Sequence, residues 1–275
     1  GMKIVADWYE KGVGKALGYL VGALVLGTAF PHLLKSSSSH FSWEKVIVFT
    51  SLFAATGGLL IFLFVNDGPF RKKALSFHPK NIASIFRSKD FRAAAFGYFG
   101  HMWELYTFWA FVPILIGLNI NLTHSGNNVP LWSFIIIGIG SLSCIAGGYL
   151  SNKIGSARVA FVSLLISGIC CLASAFFLGS STPVFLFFML IWGIAVISDS
   201  PQFSALVAQT APQEVKGTAL TFVTCIGFSI TIGSIQLLNH MFYRSSIVSS
   251  NNSFLLLTIG ALFGLPFLFR LIKRK

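Results

Sequence analysis

The sequence predicts an all-α integral membrane protein with eight transmembrane helices. Three observations carry that expectation. Hydrophobic residues make up 55% of the 275 residues and charged residues only 10%, far from the half-apolar, quarter-charged mixture of soluble domains. Apolar stretches of about 20 residues recur along the chain, the length that crosses a bilayer. These runs are continuous and do not alternate over about ten residues, so they read as helices and not as barrel strands.

The eight runs are Ala16–Leu34, Val46–Val65, Ala93–Leu118, Leu131–Leu150, Val159–Leu178, Pro183–Ala208, Thr218–Phe242 and Phe254–Ile272, taken as spans one to eight. When the segments between them are assigned alternately to two sides, 17 of the 20 lysines and arginines fall on one side. Only Lys35, Lys45 and Arg244 fall on the other. The positive-inside rule then places both termini and the long loop in the cytoplasm. The net charge of +12 is explained by this topology; the basic residues sit in loops and the aromatics within spans, so no nucleic-acid partner is expected.

The four cysteines, Cys144, Cys170, Cys171 and Cys225, lie inside apolar runs with neither a CxxC pair nor histidines at metal-ligand spacing, and read as small buried hydrophobes. No metal or cofactor is expected. Gly1–Glu10 has no short apolar core with a small-residue cleavage site, so no cleavable signal is visible. Gly1 before Met2 reads as a scar or as a start inside a longer chain.

Residues 66–92 form the one long connection, with Pro69, Pro79 and seven basic residues, followed by Ile82, Ile85 and Phe86 at helical spacing. This reads as a short helix on the inner leaflet that hinges two bundles. An internal echo supports the division: Gly14-Lys15-Ala16-Leu17 opens span one and Gly217-Thr218-Ala219-Leu220 opens span seven, six spans later. Six-helix parallel repeats are a common plan for membrane carriers. On that plan residues 1–65 hold the last two helices of an N-terminal bundle, 66–92 the basic linker and 93–275 a complete six-helix bundle, with four helices expected before Gly1.

The turn after span four runs Gly148-Tyr149-Leu150-Ser151-Asn152-Lys153-Ile154-Gly155-Ser156-Ala157-Arg158. It resembles the loop signature of the major facilitator superfamily, in which glycines and basic residues flank an acidic residue. Asn152 stands where the family usually has aspartate, which leaves a charged latch in doubt; Gly148, Lys153, Gly155 and Arg158 fit the pattern. Ala6-Asp7-Trp8 through Pro31-His32-Leu33-Leu34, Gly100-His101-Met102-Trp103-Glu104-Leu105-Tyr106 and Ser198-Asp199-Ser200-Pro201-Gln202-Phe203-Ser204-Ala205-Leu206 are similar to bacterial permeases grouped with nitrate/nitrite and cyanate porters. Span four carries no arginine, against nitrate itself. The resemblance implies the last eight helices of a twelve-helix secondary transporter in the inner (plasma) membrane, moving a small solute or ion by alternating access.

Ionisable residues inside spans cost at least about 2.5 kcal/mol each on insertion scales, so each calls for a partner or a pathway. Glu104 lies roughly 17 Å into span three, close to the midplane. His101 precedes it by three and shares a face with it, with Gly97 and with Phe108. The pair is either a proton carrier, as in a proton symporter, or a satisfied contact holding two helices. Asp199 precedes Pro201, which breaks span six; the acid is either part of a gate or a cap on the second half-helix. Gln202, Leu206 and Gln209 continue its face. On span seven, Thr224, Phe228 and Thr231 share a stripe that either lines a cavity or bonds back to its own helix. Gly14, Gly18 and Gly22 form a smooth strip for close helix packing.

HExxH, GxSxG and Walker-type loops are absent, so neither hydrolase chemistry nor direct ATP use is expected. A receptor-like or non-transporting remnant is the alternative. Reporter fusions after Lys275 should give a cytoplasmic signal; an extracellular one would overturn the topology.

Overall fold

The structure is a computed structural model and describes residues 1–9, 11–37, 42–71, 85–244 and 252–273. Ten α-helices stand out among the described residues: α1 (Met2–Trp8), α2 (Val13–Ser37), α3 (Trp43–Phe64), α4 (Lys89–Thr123), α5 (Val129–Ile154), α6 (Ser156–Phe177), α7 (Thr182–Ser198), α8 (Ser200–Thr210), α9 (Lys216–Arg244) and α10 (Thr258–Lys273). No strand occurs among them. With α7 and α8 read as one interrupted crossing, eight segments are long and apolar enough to cross a membrane. Each coincides with one of the eight apolar runs, extended at the ends by polar caps. Ser88 caps α4 by accepting from the Phe91 N–H at 3.3 Å, and Asn128 caps α5 by accepting from the Leu131 N–H at 3.1 Å.

Three expectations are corrected. Lys89 and Arg92, assigned to the loop, belong to α4. The N-terminal polar stretch forms a helix of its own, α1, tied by the Lys3–Asp7 bridge at 2.7 Å and by Trp8 Nε1 donating to the Asn66 carbonyl at 3.0 Å. Cys225 is exposed, unlike the other three cysteines. Of the expected surface helix, Ile82 lies outside the described residues, whereas Ile85 is buried and Phe86 packs edge-on against Phe91 and Phe222.

The packing falls into two apolar clusters stacked along the helix axes. Leu105–Ile116 of α4, Cys170 and Cys171 of α6 and Val196 and Ile197 of α7 belong to one. Phe91–Met102 of α4, Leu164 of α6, Phe203–Ala208 of α8 and Val223 of α9 belong to the other, nearer the termini and the basic loops. Between them lies a layer of buried polar side chains: Glu104, Ser167, Asp199 and Gln202, with Thr231 and Ser234 on α9. His101 lies at the same level.

Close approach of backbones holds the helices together. On α2 the glycine strip meets α5: a Cβ on Gly18 would stand 2.7 Å from the Cys144 carbonyl oxygen, and one on Gly22 would stand 2.9 Å from that of Ser141. Gly148 of α5 closes on the Lys15 Cα in the same way, at 3.0 Å. Lipid tails are as apolar as leucine, so such contacts, and not burial from water, drive helix association. At the basic end Val13 and Leu17 of α2 pack with Ala205 of α8. By contrast α3 has no buried residue.

The two glycines of the internal echo each sit in close contacts. Gly14 and Gly217 are each the second residue of their helix. Gly14 abuts Ser151 and Gln202, while Gly217 abuts the Lys3 side chain of α1.

Gly18→Val should lower the unfolding free energy in detergent by about 1–3 kcal/mol, because the added methyls meet backbone that cannot give way. Gly27→Ala, where nothing lies within 4 Å, should be neutral or slightly stabilising. Equal effects of the two substitutions would contradict the α2–α5 seam.

Candidate functional site

A carboxylic acid in a membrane interior needs donors or a counter-charge, and α4 supplies two groups that meet this need in opposite directions. Three residues of an α-helix subtend 300°, so His101 and Glu104 are about 60° apart and can face different neighbours. Glu104 turns toward α6 and α7: its Oε1 accepts from Ser167 Oγ at 2.5 Å and from Trp192 Nε1 at 2.7 Å. The Trp192 ring lies between Phe108, at 4.6 Å, and Phe188, at 5.7 Å. His101 turns toward the break between α7 and α8, where its Nδ1 is 2.9 Å from Asp199 Oδ1. The His101–Glu104 pair expected from spacing is therefore replaced by two separate constellations.

Asp199 sits at the break itself. It takes a helical conformation (φ −83°, ψ −21°) between Ser198 and Ser200, and Pro201 falls in the first turn of α8, where its missing N–H interrupts nothing. The carboxylate makes no capping bond to α8. Its Oδ1 lies 2.9 Å from His101 Nδ1, a buried imidazole–carboxylate pair in which both residues are wholly enclosed. One turn further, both amide atoms of Gln202 are without partners. Buried polar atoms in folded proteins are almost always paired with protein or ordered water.

Asp199, Gln202, Leu206 and Gln209 follow one face of α8 at helical spacing. The first three are buried and Gln209 is exposed. Gln209 also lines a cavity of about 770 Å³ at the basic end, with Tyr9, Lys11, Arg71, Gln213 and Lys216. About 15 Å of helix separates Asp199 from this mouth. Between them Gln202 Oε1 and Ser151 Oγ close on Gly14, at 3.0 Å and 2.7 Å from the position a Cβ would take, beside the Val13–Leu17–Ala205 contact. The structure is closed here.

The expected cavity stripe does not form one wall. Phe108 is buried against Trp192, and Thr231 donates to the Met102 carbonyl at 3.1 Å. Thr224 is half-buried, and Phe228 is exposed beside Tyr106. In the loop motif, Gly155 has φ +89°, a conformation that favours glycine, and lets α6 start directly after α5. Gly148 meets α2, whereas Asn152, Lys153 and Arg158 are exposed.

Sequence reasoning missed Trp192 and Ser167. A tryptophan in the middle of an apolar span has one donor to satisfy, and that was the available signal. Among the described residues no group of three or more His, Cys, Asp or Glu is placed to hold a metal.

Trp192→Phe preserves most ring packing but removes one donor from Glu104. The unfolding free energy in detergent should fall by about 1–3 kcal/mol. An unchanged stability would contradict the bond.

Compared with known families, residues 1–235 match the profile of the Major Facilitator Superfamily. No curated protein matches the chain.

Proposed function

The chain belongs to the Major Facilitator Superfamily, whose members are membrane transporters and not enzymes, and we propose that it moves a small solute by alternating access, as a proton symporter. The observation that carries the reading is the enclosed His101–Asp199 contact, 2.9 Å long, at the α7–α8 break. A broken helix with an acid beside it, near the level of the midplane, is where secondary transporters hold coupling ions. Imidazole and carboxylate exchange a proton readily because either can hold it. Glu104, fixed by two donors on neighbouring helices, is better suited to anchoring α4, α6 and α7.

On this reading α2 and α3 belong to a first bundle whose other helices lie outside residues 1–275, and residues 93–275 form the second. The bare surface of α3 supports that division, as does the seam α2 makes with α5. Opening toward the basic end then requires α2 to part from α5 and α8, releasing the Val13–Leu17–Ala205 contact and uncovering Gln202. The 17-to-3 distribution of basic residues supports an inner (plasma) membrane location with both termini cytoplasmic. The superfamily match carries no subgroup, and the absence of arginine from span four argues against nitrate or nitrite as substrate.

The test is uptake into vesicles by the transporter with its upstream helices, with and without a pH gradient. Asp199→Asn should abolish accumulation above equilibrium while leaving exchange across the membrane. Glu104→Gln should lower stability yet retain accumulation. Gradient-driven accumulation by Asp199→Asn at the wild-type level would refute the assignment, and its loss in Glu104→Gln alone would move the carrier to Glu104.

A further inference from the structure

A second polar cluster lies on the outside of the bundle, where α2 and α5 meet at the basic end. Lys15 and Tyr19 are four residues apart on α2, and Tyr149 and Lys153 four apart on α5, so each pair shares a helix face. The two faces adjoin: Tyr19 Oη and Tyr149 Oη are 2.8 Å apart, and the Lys15 ammonium stands 4.4 Å from the centre of the Tyr149 ring. Both tyrosines are about half exposed, at 48% and 47%, and Lys153 is exposed.

Depth decides what these side chains meet. Lys15 is the third residue of α2 and Tyr149 the sixth from the end of α5, so the cluster occupies the outermost 10 Å or so of the two helices. That is the headgroup level, where tyrosines concentrate and lysines extend toward charge. Two hydroxyls joined by one hydrogen bond leave one O–H hydrogen undirected. Neither lysine pairs with a carboxylate among the described residues.

We propose that Lys15, Tyr19, Tyr149 and Lys153 bind the phosphodiester headgroup of an anionic phospholipid across the α2–α5 seam. Two ammonium groups outweigh a phosphodiester's single negative charge, and their N–H groups with a free hydroxyl supply donors to its acceptor oxygens. The Tyr149 ring fixes Lys15 in place by cation–π contact. Because the ligand touches both helices, it favours the conformation in which they are packed, the one closed at the basic end. This follows from differential binding alone.

The test is native mass spectrometry of the detergent-solubilised chain, titrated with phosphatidylglycerol or phosphatidylcholine. Wild type should bind phosphatidylglycerol in preference. Each lysine should contribute roughly five-fold in affinity, so Lys15→Gln with Lys153→Gln should lose about 25-fold, and the double arginine variant should recover most of it. Lys153 is exposed, and Lys153→Gln alone should still lose about five-fold. Tyr149→Phe should weaken binding while retaining the ring beneath Lys15. The proposal is overturned if wild type shows no preference between the lipids or if Lys153→Gln binds as wild type does. It is also overturned if inorganic phosphate at the same concentration occupies the site equally, which would make the ligand free phosphate.

Discussion

Everything in the bundle is arranged around the burial of two carboxyl groups at the middle of membrane-spanning helices. An acid placed there costs at least about 2.5 kcal/mol unless something meets it. Glu104 is met by an indole N–H and a hydroxyl from two other helices, and Asp199 by an imidazole. The apolar packing divides above and below this level, so the polar layer specifies which helices are neighbours. Hydrocarbon contacts alone specify much less, since a lipid tail satisfies a leucine as well as another leucine does.

The two acids are met differently, and their roles diverge accordingly. Glu104 sees donors on two neighbouring helices, α6 and α7, and ties both to α4. Asp199 sits where α7 ends and α8 begins, beside an imidazole that can itself hold a proton. The face of α8 from Asp199 to Gln209 leads toward the basic mouth, and the glycine-lined contact with α2 closes it. On the proposed cycle, opening that contact would also hydrate the acid.

Much of the fold was legible because its signals are one-dimensional. Runs of about 20 apolar residues fixed the spans, and Pro201 placed the break in span six within two residues. The strip Gly14, Gly18 and Gly22 marked a helix-packing face. The pairing of His101 was not legible: spacing shows that it and Glu104 lie on the same side of α4, but 60° of rotation is enough to send them to different helices. Trp192 was lost among apolar neighbours, because its single polar atom leaves hydropathy almost unchanged. Helix α1 was missed because seven residues without an apolar run carry little signal; the Lys3–Asp7 bridge and the contact with Asn66 stabilise it. Of the two readings open for the α9 threonines, Thr231 follows the bonding one, giving its hydroxyl to the carbonyls of Met102 and Gly227.

The central claim is the proposed proton-carrying role of Asp199 beside His101. Infrared difference spectroscopy of the reconstituted protein through a pH titration reads this directly, because a buried carboxyl gains or loses its C=O stretch as it changes protonation. The account predicts a titrating carboxyl band that disappears in Asp199→Asn and shifts its midpoint in His101→Asn. A pH difference spectrum in which Asp199→Asn matches wild type would contradict it.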